Sequence, residues 1–403
     1  MGEQMKKTQE LADKYMFQTY ARFPITLVRG EGCRVWDEDG KEYIDFVGGI
    51  AVCALGHSSP VVTKALEAQS KTLVHVSNLY YTKPQIELAR LLVENSFADR
   101  VFFCNSGAEA NEAAIKLARR YSKEKHGEGR YTIISMKGSF HGRTMATLSA
   151  TGQQKIQIGY DPLLTGFKFV PFNDLAGLEN AIDDSVCAVM LEPIQGEGGV
   201  VCPQEGYLQG VKKICRERGL LLIFDEVQAG MGRTGKLFAH EHFGVTPHIM
   251  TLAKALGNGL PIGAMLSTED LSGAFGPGSH ATTFGGTPLV TAVAGAVLTN
   301  ILKDGWLDHC HEMGSYFKGR LEGFREKYPF IKDVRGLGLI IGVELDRPGA
   351  PVVKDCMEKG FLINCPQENV LRFIPPLIVG KEEIDSLIET LDDIFGRLSE
   401  NER

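Results

Sequence analysis

Between Leu220 and Lys254 the chain holds two apolar runs, each ending beside a charged residue. The first, Leu220–Phe224 in LLLIFDEVQAG, shows no polar alternation, so it reads as a strand buried on both faces, as in a parallel sheet. Parallel strands need crossover connections, normally helices, and that restricts the chain to an α/β architecture. Asp225 stands where this strand stops. Open α/β sheets gather ligands at the carboxyl ends of their strands. The second run, in HIMTLAKALGNGLPIGA, brings Lys254 to the edge of a glycine-rich loop. Taken alone, the plainer reading is an acid that caps a turn and a solvated lysine. The rest of the chain decides between that and a reactive pair.

The flanking sequence repeats the strand–loop–helix pattern. Strands are expected at 101–104, 131–136 and 186–191, and helices at 60–74, 84–96, 109–122 and 208–218. Residues 8–23 suggest an amphipathic helix leading into Pro24. Asp39-Gly40 lies between VW and YIDF, a hairpin signal. After a helical stretch at about 290–327 the texture changes to VRGLGLIIGVEL, FLINC and VLRFIPPL, then a last helix from Lys381 to Leu398. The expected architecture is α/β: a large domain on a mostly parallel sheet over residues 61–290 and a smaller α+β domain over 291–403. Residues 1–60, a helix and a hairpin, are expected to pack with the smaller domain.

Charge and composition remove several classes. The 43 basic and 50 acidic residues give a net charge of −7, and no basic stripe appears, which argues against nucleic-acid binding. No run of 18 apolar residues suggests a membrane span. The N-terminal MGEQMKKTQELADKY lacks the apolar core of a signal peptide. Its Met1-Gly2 start lacks the Ser or Thr at position six that myristoylation requires. Nine scattered cysteines without a CxxC pair fit reduced thiols in the cytoplasm.

Several loops after strands carry chemistry-bearing residues. Ser106, Gly107 and Ala108 open a helix, where small residues and free N–H groups suit a phosphate, although Asn105 or Ser106 as a simple N-cap explains them equally. In SFHGRT, Phe140 can stack on a planar ring and Arg143 can hold a carboxylate. Glu192 and Glu197, in EPIQGEGG, are either turn formers or site groups. Thr283, before a glycine pair, offers a hydroxyl to a phosphate. Gly230–Gly235 spells GxGxxG, but residues separate it from the strand and no βαβ unit follows, so a dinucleotide reading fails. His240-Glu-His242 and His309-Cys-His311 lack metal-site spacing and read as helix surface. An acid at one strand end and a lysine near the next suit pyridoxal phosphate (PLP), whose aldehyde condenses with an amine and whose ring nitrogen takes an acidic partner.

Taken in order, VWDEDGKEYIDFVGGIAVCALGH, NSGAEANEAAIKLAR, SFHGRT, EPIQGEGG, FDEVQAGMGRTG, LAKALGNGLPIGA, TFGGTPL, VRGLGL and LRFIPPL resemble the class III PLP-dependent aminotransferases of fold type I, over nearly the whole chain. VSNLYYTKPQ and the GEG of EPIQGEGG are most similar to members acting on N2-acetylornithine, with 2-oxoglutarate as acceptor and glutamate as product. Ornithine, succinylornithine, succinyl-diaminopimelate and 4-aminobutyrate are the neighbouring donors. A PLP-binding protein without turnover is the remote alternative. The resemblance implies a Schiff base on Lys254, Asp225 at the ring nitrogen, Gln228 at the ring hydroxyl, and Phe140 and Val227 on the two ring faces. It implies phosphate binding at Ser106, Gly107 and Ala108, completed by Thr283 from the neighbouring subunit of a homodimer. Arg372 and Arg143 become carboxylate binders, Thr282 a substrate contact, and Glu197 a gate that pairs with Arg372. The family more often carries Ser-Thr-Tyr where this chain has Thr282-Thr283-Phe284.

Overall fold

The computed structural model describes residues 3–400, with side chains from residue 7; the Met1-Gly2 start lies outside the described residues. Its centre is a seven-stranded sheet. In spatial order the strands are Arg100–Cys104, Gly263–Ser267, Ile249–Leu252, Leu221–Asp225, Val186–Leu191, Thr132–Met136 and Phe167–Val170. Gly263–Ser267 runs antiparallel to both neighbours, and the other pairings are parallel. Leu221–Asp225 is buried along its whole length, as its unbroken apolar run requires. Parallel strands aligned in this way bring Asn105, Glu192, Asp225 and Lys254 to one edge of the sheet.

Two smaller sheets flank this core. Ile331–Leu337, Ile340–Leu345, Val370–Phe373 and Asn364–Gln367 form an antiparallel sheet in that order. Leu27–Glu31, Arg34–Asp37 and Glu42–Asp45 form an antiparallel meander whose hairpin turns at Asp39-Gly40, with Gly40 at φ 83°. A strand from the far end of the chain, Phe361–Leu362, joins the meander in parallel with Glu42–Asp45. The first and last parts of the sequence therefore share a sheet. The last helix, Lys381–Glu400, buries Ile384, Leu387, Ile388, Leu391, Ile394 and Phe395 along one stripe.

The first helix differs from expectation. It spans Glu3–Tyr15 rather than 8–23. Gln18 closes its end: its side-chain amide donates to the carbonyl of Ala12, which already accepts from Met16 N, and to that of Met16, an acceptor another helical turn would have used, each at 3.0 Å. Among the described residues no helix is long and apolar enough to cross a membrane.

Candidate active site

The strand ends enclose a cavity of about 490 Å³. Ser106, Gly107, Ala108, Phe140, Arg143, Glu197, Asp225, Val227, Gln228 and Lys254 all line it. That volume is ordinary for a small-molecule site.

At one end the helix Gly107–His126 begins. The Ser106 hydroxyl accepts from Glu109 N at 3.2 Å, and Glu109 Oε2 accepts in return from Asn105 N at 2.7 Å. This reciprocal cap commits the Ser106 side chain to the helix. The first bond to the Ser106 carbonyl comes from Ala110 N at 3.0 Å, so the N–H groups of Gly107 and Ala108 precede the helical ladder. A Cβ on Gly107 would lie 2.7 Å from Val227 Cγ1, so only glycine lets the helix start come this close to Val227.

Asp225 lies at the base of the cavity, buried. Its Oδ2 accepts from Asn111 Nδ2 and His141 Nδ1, each at 2.7 Å, and its Oδ1 accepts from Val227 N at 3.0 Å. Thr251 Oγ1 donates to Asn111 Oδ1 at 2.7 Å, which fixes which way that amide faces. Sequence reasoning missed Asn111, His141 and Thr251 as partners of the acid. The available signal was a polar residue one helical turn after Gly107, on the same face. Glu192, left open between turn and site, serves both. It lines the cavity and accepts from Phe140 N at 3.0 Å and Gly196 N at 3.1 Å. Burial first, then the nearby Asp225, holds its carboxyl well above the ordinary range.

Lys254 lines the cavity and is half-buried in its wall; loss of hydration pushes its amine down to about 8, with Arg372 adding to the fall, while Glu197, Asp225 and Glu192 oppose it. Its backbone sits at φ 45°, a left-handed conformation costly for a lysine. Such strain persists where surrounding structure imposes it, and it gathers at functional sites.

Glu197, in the cavity wall, pairs with Arg372, which is buried behind the lining. Arg372 Nη1 donates to Glu197 Oε1 at 2.6 Å and to Gln228 Oε1 at 2.9 Å. Gln228 Nε2 in turn donates to Glu197 Oε1 at 3.1 Å, closing a triangle. Burial would raise the Glu197 carboxyl, but Arg372, Lys254 and these hydrogen bonds hold it below its ordinary value. Arg372 is 1% exposed, so Glu197 is the carboxylate that balances its buried charge. Arg143 stands at the mouth, its guanidinium 5.7 Å from the Phe140 ring centroid.

Thr282 and Thr283 are not brought into this cavity. Thr282 Oγ1 accepts from Asn105 Nδ2 at 3.1 Å, and Thr283 is exposed. Both line a separate surface groove with Leu79, Tyr81 and Ile86. His240 departs from the surface reading. It is buried, with its ring Nδ1 and backbone N both bonded to Glu226 Oε1 at 2.8 Å, because the inward-facing Glu226 needs donors. Gly230–Gly235 forms turns, and Arg233 within it is buried and donates to the carbonyls of Leu339 and Pro375. Among the described residues no cluster of His, Cys, Asp or Glu could hold a metal ion.

The donor set fits PLP. A helix start with free N–H groups suits the phosphate, a deep carboxylate suits a protonated ring nitrogen, and an enclosed amine of lowered pKa suits condensation with an aldehyde. The class-III aminotransferase family model matches residues 15–395. The chain is 55% identical to the acetylornithine aminotransferase of Caldanaerobacter subterraneus subsp. tengcongensis, over 96% of this chain and 98% of that one. It is 54% identical to the enzyme of the same name from Methanocaldococcus jannaschii, with the same coverage. Among solved structures, the ornithine aminotransferase of Toxoplasma gondii superposes with a TM-score of 0.95 at 34% identity, over 98% of this chain and 96% of that one. The chain belongs to the class III aminotransferases and is a PLP-dependent transaminase.

Proposed function

We propose that the enzyme moves the δ-amino group of N2-acetyl-L-ornithine to 2-oxoglutarate, giving N-acetyl-L-glutamate 5-semialdehyde and L-glutamate, a step of arginine biosynthesis. The observation that carries this reading is the Glu197–Arg372 pair. The donor presents an amine with no carboxylate beside it, whereas glutamate presents an α-carboxylate next to the reacting amine. A buried arginine serves both only if a protein carboxylate neutralises it in the first case and leaves in the second. Two relatives above 50% identity carrying the acetylornithine name support the choice of donor.

Bound PLP supplies an aldehyde carbon for the amine and an electron-withdrawing ring. Lys254 Nζ would act as the base that takes a proton from the carbon bearing the substrate amine and then, as acid, deliver it to the carbon that was the cofactor's aldehyde. Its lowered pKa keeps a working fraction neutral near pH 7. Asp225 holds the proton on the ring nitrogen, and Asn111 and His141 keep that carboxylate in place. Gly107 and Ala108 offer N–H groups to the phosphate, with Ser106 setting the helix start. Phe140 and Val227 would flank the ring, and Gln228 would reach its hydroxyl. Arg372 takes the α-carboxylate of glutamate and Arg143 the remote carboxylate of either substrate, while Thr282, outside this chain's own cavity, would meet the substrate only in the partner's site.

The same reading makes the enzyme a cytoplasmic homodimer in which Thr283 of the partner subunit completes each phosphate site. An exposed apolar surface at Leu79, Tyr81 and Phe284 supports it, as do nine cysteines without a disulfide. The domain limits at 60 and 290 belong to it too.

Steady-state kcat/KM against N2-acetylornithine, ornithine, N2-succinylornithine and 4-aminobutyrate, each with 2-oxoglutarate, tests the assignment. N2-Acetylornithine should lead. A clear preference for free ornithine or 4-aminobutyrate would replace it with the neighbouring activity.

A further inference from the structure

One short strand, Asn364–Gln367, holds both members of the Glu197–Arg372 pair. Gln367 Nε2 donates to the carbonyl of Glu197 at 2.5 Å. Asn364 Oδ1 accepts from Arg372 Nε at 3.2 Å. Within the sheet Asn364 is the register partner of Arg372, and the pairing becomes irregular before Gln367 meets Val370. That irregularity lets one strand send one side chain to the arginine and another to the loop carrying the acid.

The loop needs such an anchor. Glu197 lies between Gly196 and Gly198, residues with wide backbone freedom. Beyond it, Arg335 Nη2 donates to the Gly199 carbonyl at 2.9 Å and Nε to the Val200 carbonyl at 3.0 Å. Arg335 therefore fixes the end of the loop, while Gln367 fixes the peptide of Glu197 itself. On the other side, Glu197 and Gln228 engage Arg372 at Nη1, and Asn364 engages Nε. A guanidinium is planar, so a bond at Nε sets the orientation of its whole fork.

We propose that Gln367 and Asn364 are positioning residues for donor choice, Gln367 holding Glu197 over Arg372 and Asn364 holding the guanidinium plane where it receives glutamate's α-carboxylate. The inference rests on the gating role given to the pair above. Neither residue touches the reacting atoms. Their losses have opposite consequences. Without Gln367 the acid leaves Arg372 more readily, which favours glutamate. Without Asn364 the guanidinium can turn. Glu197, on a glycine-flanked loop, can follow it, but the α-carboxylate of a glutamate fixed by the reaction cannot.

The test uses the holoenzyme in single half-reactions, followed by cofactor absorbance, with glutamate and N2-acetylornithine as separate donors. Gln367→Met removes the donor while keeping side-chain length, and Asn364→Leu removes the acceptor. Gln367→Met should raise the glutamate-to-acetylornithine rate ratio about two- to tenfold, the span of one net hydrogen bond. Asn364→Leu should lower it by a similar factor, chiefly by weakening apparent glutamate binding. A general loss of structure would move both donors together. If cofactor content shows that either variant has lost its site, Gln367→Ala or Asn364→Ala takes its place. Glu197→Ala, measured alongside, separates the two levels. If that variant shifts the ratio and Gln367→Met does not, or if Gln367 and Asn364 variants shift it the same way, the positioning role is overturned and the gate stands. If Glu197→Ala leaves the ratio unchanged, the gate fails and this role fails with it.

Discussion

Glu197 Oε1 and Arg372 Nη1 lie 2.6 Å apart, and Gln228 bonds both. The pair is set by a close approach: a Cβ on Gly196 would lie 2.1 Å from Gln228 Oε1. Gly196→Ala should therefore displace Gln228 and break the triangle without disturbing the sheets. Losing one hydrogen bond to a charged group costs about 1.5–3 kcal/mol, so turnover should fall roughly ten- to hundredfold. Steady-state kinetics together with thermal unfolding check this; a large drop in unfolding temperature with normal turnover per folded molecule would place the residue in the fold instead.

Asp225 accepts from Asn111 and His141 at Oδ2 and from the Val227 amide at Oδ1. Its contact with a protonated ring nitrogen is worth about 1.5–3 kcal/mol of binding. Its electronic effect on the ring should matter more to rate. Asp225→Ala is expected to retain much of its PLP and lose turnover by a far larger factor. His141→Ala should show the same pattern more weakly. PLP content by absorbance and rate per bound cofactor decide the matter, and loss of cofactor at unchanged specific rate would contradict it.

Loss of hydration holds the Lys254 amine down at about 8, well below an ordinary lysine. Only the neutral amine is a nucleophile, so the direction is fixed: capture of PLP by the apo-enzyme should accelerate as pH rises. With an amine of pKa 8, about a tenth is neutral at pH 7, against fewer than roughly one in a thousand for an ordinary lysine. The reconstitution rate should therefore level off not far above pH 8. A rate still climbing tenfold per pH unit through pH 9 would show an unperturbed lysine.

Thr283 lies outside the Lys254 cavity of its own chain, in a groove lined by Leu79, Tyr81 and Phe103. If each site borrows it from a partner, inactive chains should complement one another. Lys254→Ala and Thr283→Asp variants, each impaired alone, should regain activity when co-expressed, because a mixed dimer contains one site with both intact residues. Absence of complementation in an isolated mixed dimer would place Thr283 in cis or outside the site.

The strands at 132–136, 186–191 and 221–225 were legible as buried apolar runs, whereas Phe167–Val170, only partly buried and carrying Lys168, and Gly263–Ser267 were not among the expected strands. Asp225, after Leu220–Phe224, is the plainest case of a functional residue at a strand end. The helix start at Gly107 was legible through an N-cap residue, Ser106, and the small residues after it. What stayed hidden was the layer behind the site. Asn111 sits within a helical, alanine-rich segment, and its one signal, a place one turn after Gly107 on the same face, does not say whether it meets a buried carboxylate or water. His141 lay inside a motif chosen for its neighbours, Phe140 and Arg143. Gln367 and Asn364 act through an irregular sheet register that no periodicity encodes. The first helix was misplaced because its end is set by the side chain of Gln18, not by a glycine or proline.

The most direct test of the account compares two half-reactions in wild type and Glu197→Ala. Removing the carboxylate leaves Arg372 open at all times. Glutamate should then react faster relative to N2-acetylornithine, and N2-acetylornithine itself should slow, because it must share the site with an unpaired buried charge. Single-turnover rates for the two donors give the ratio directly. A ratio that rises in the variant is the predicted result; a ratio unchanged from wild type would remove Glu197 from donor choice and return it to the turn.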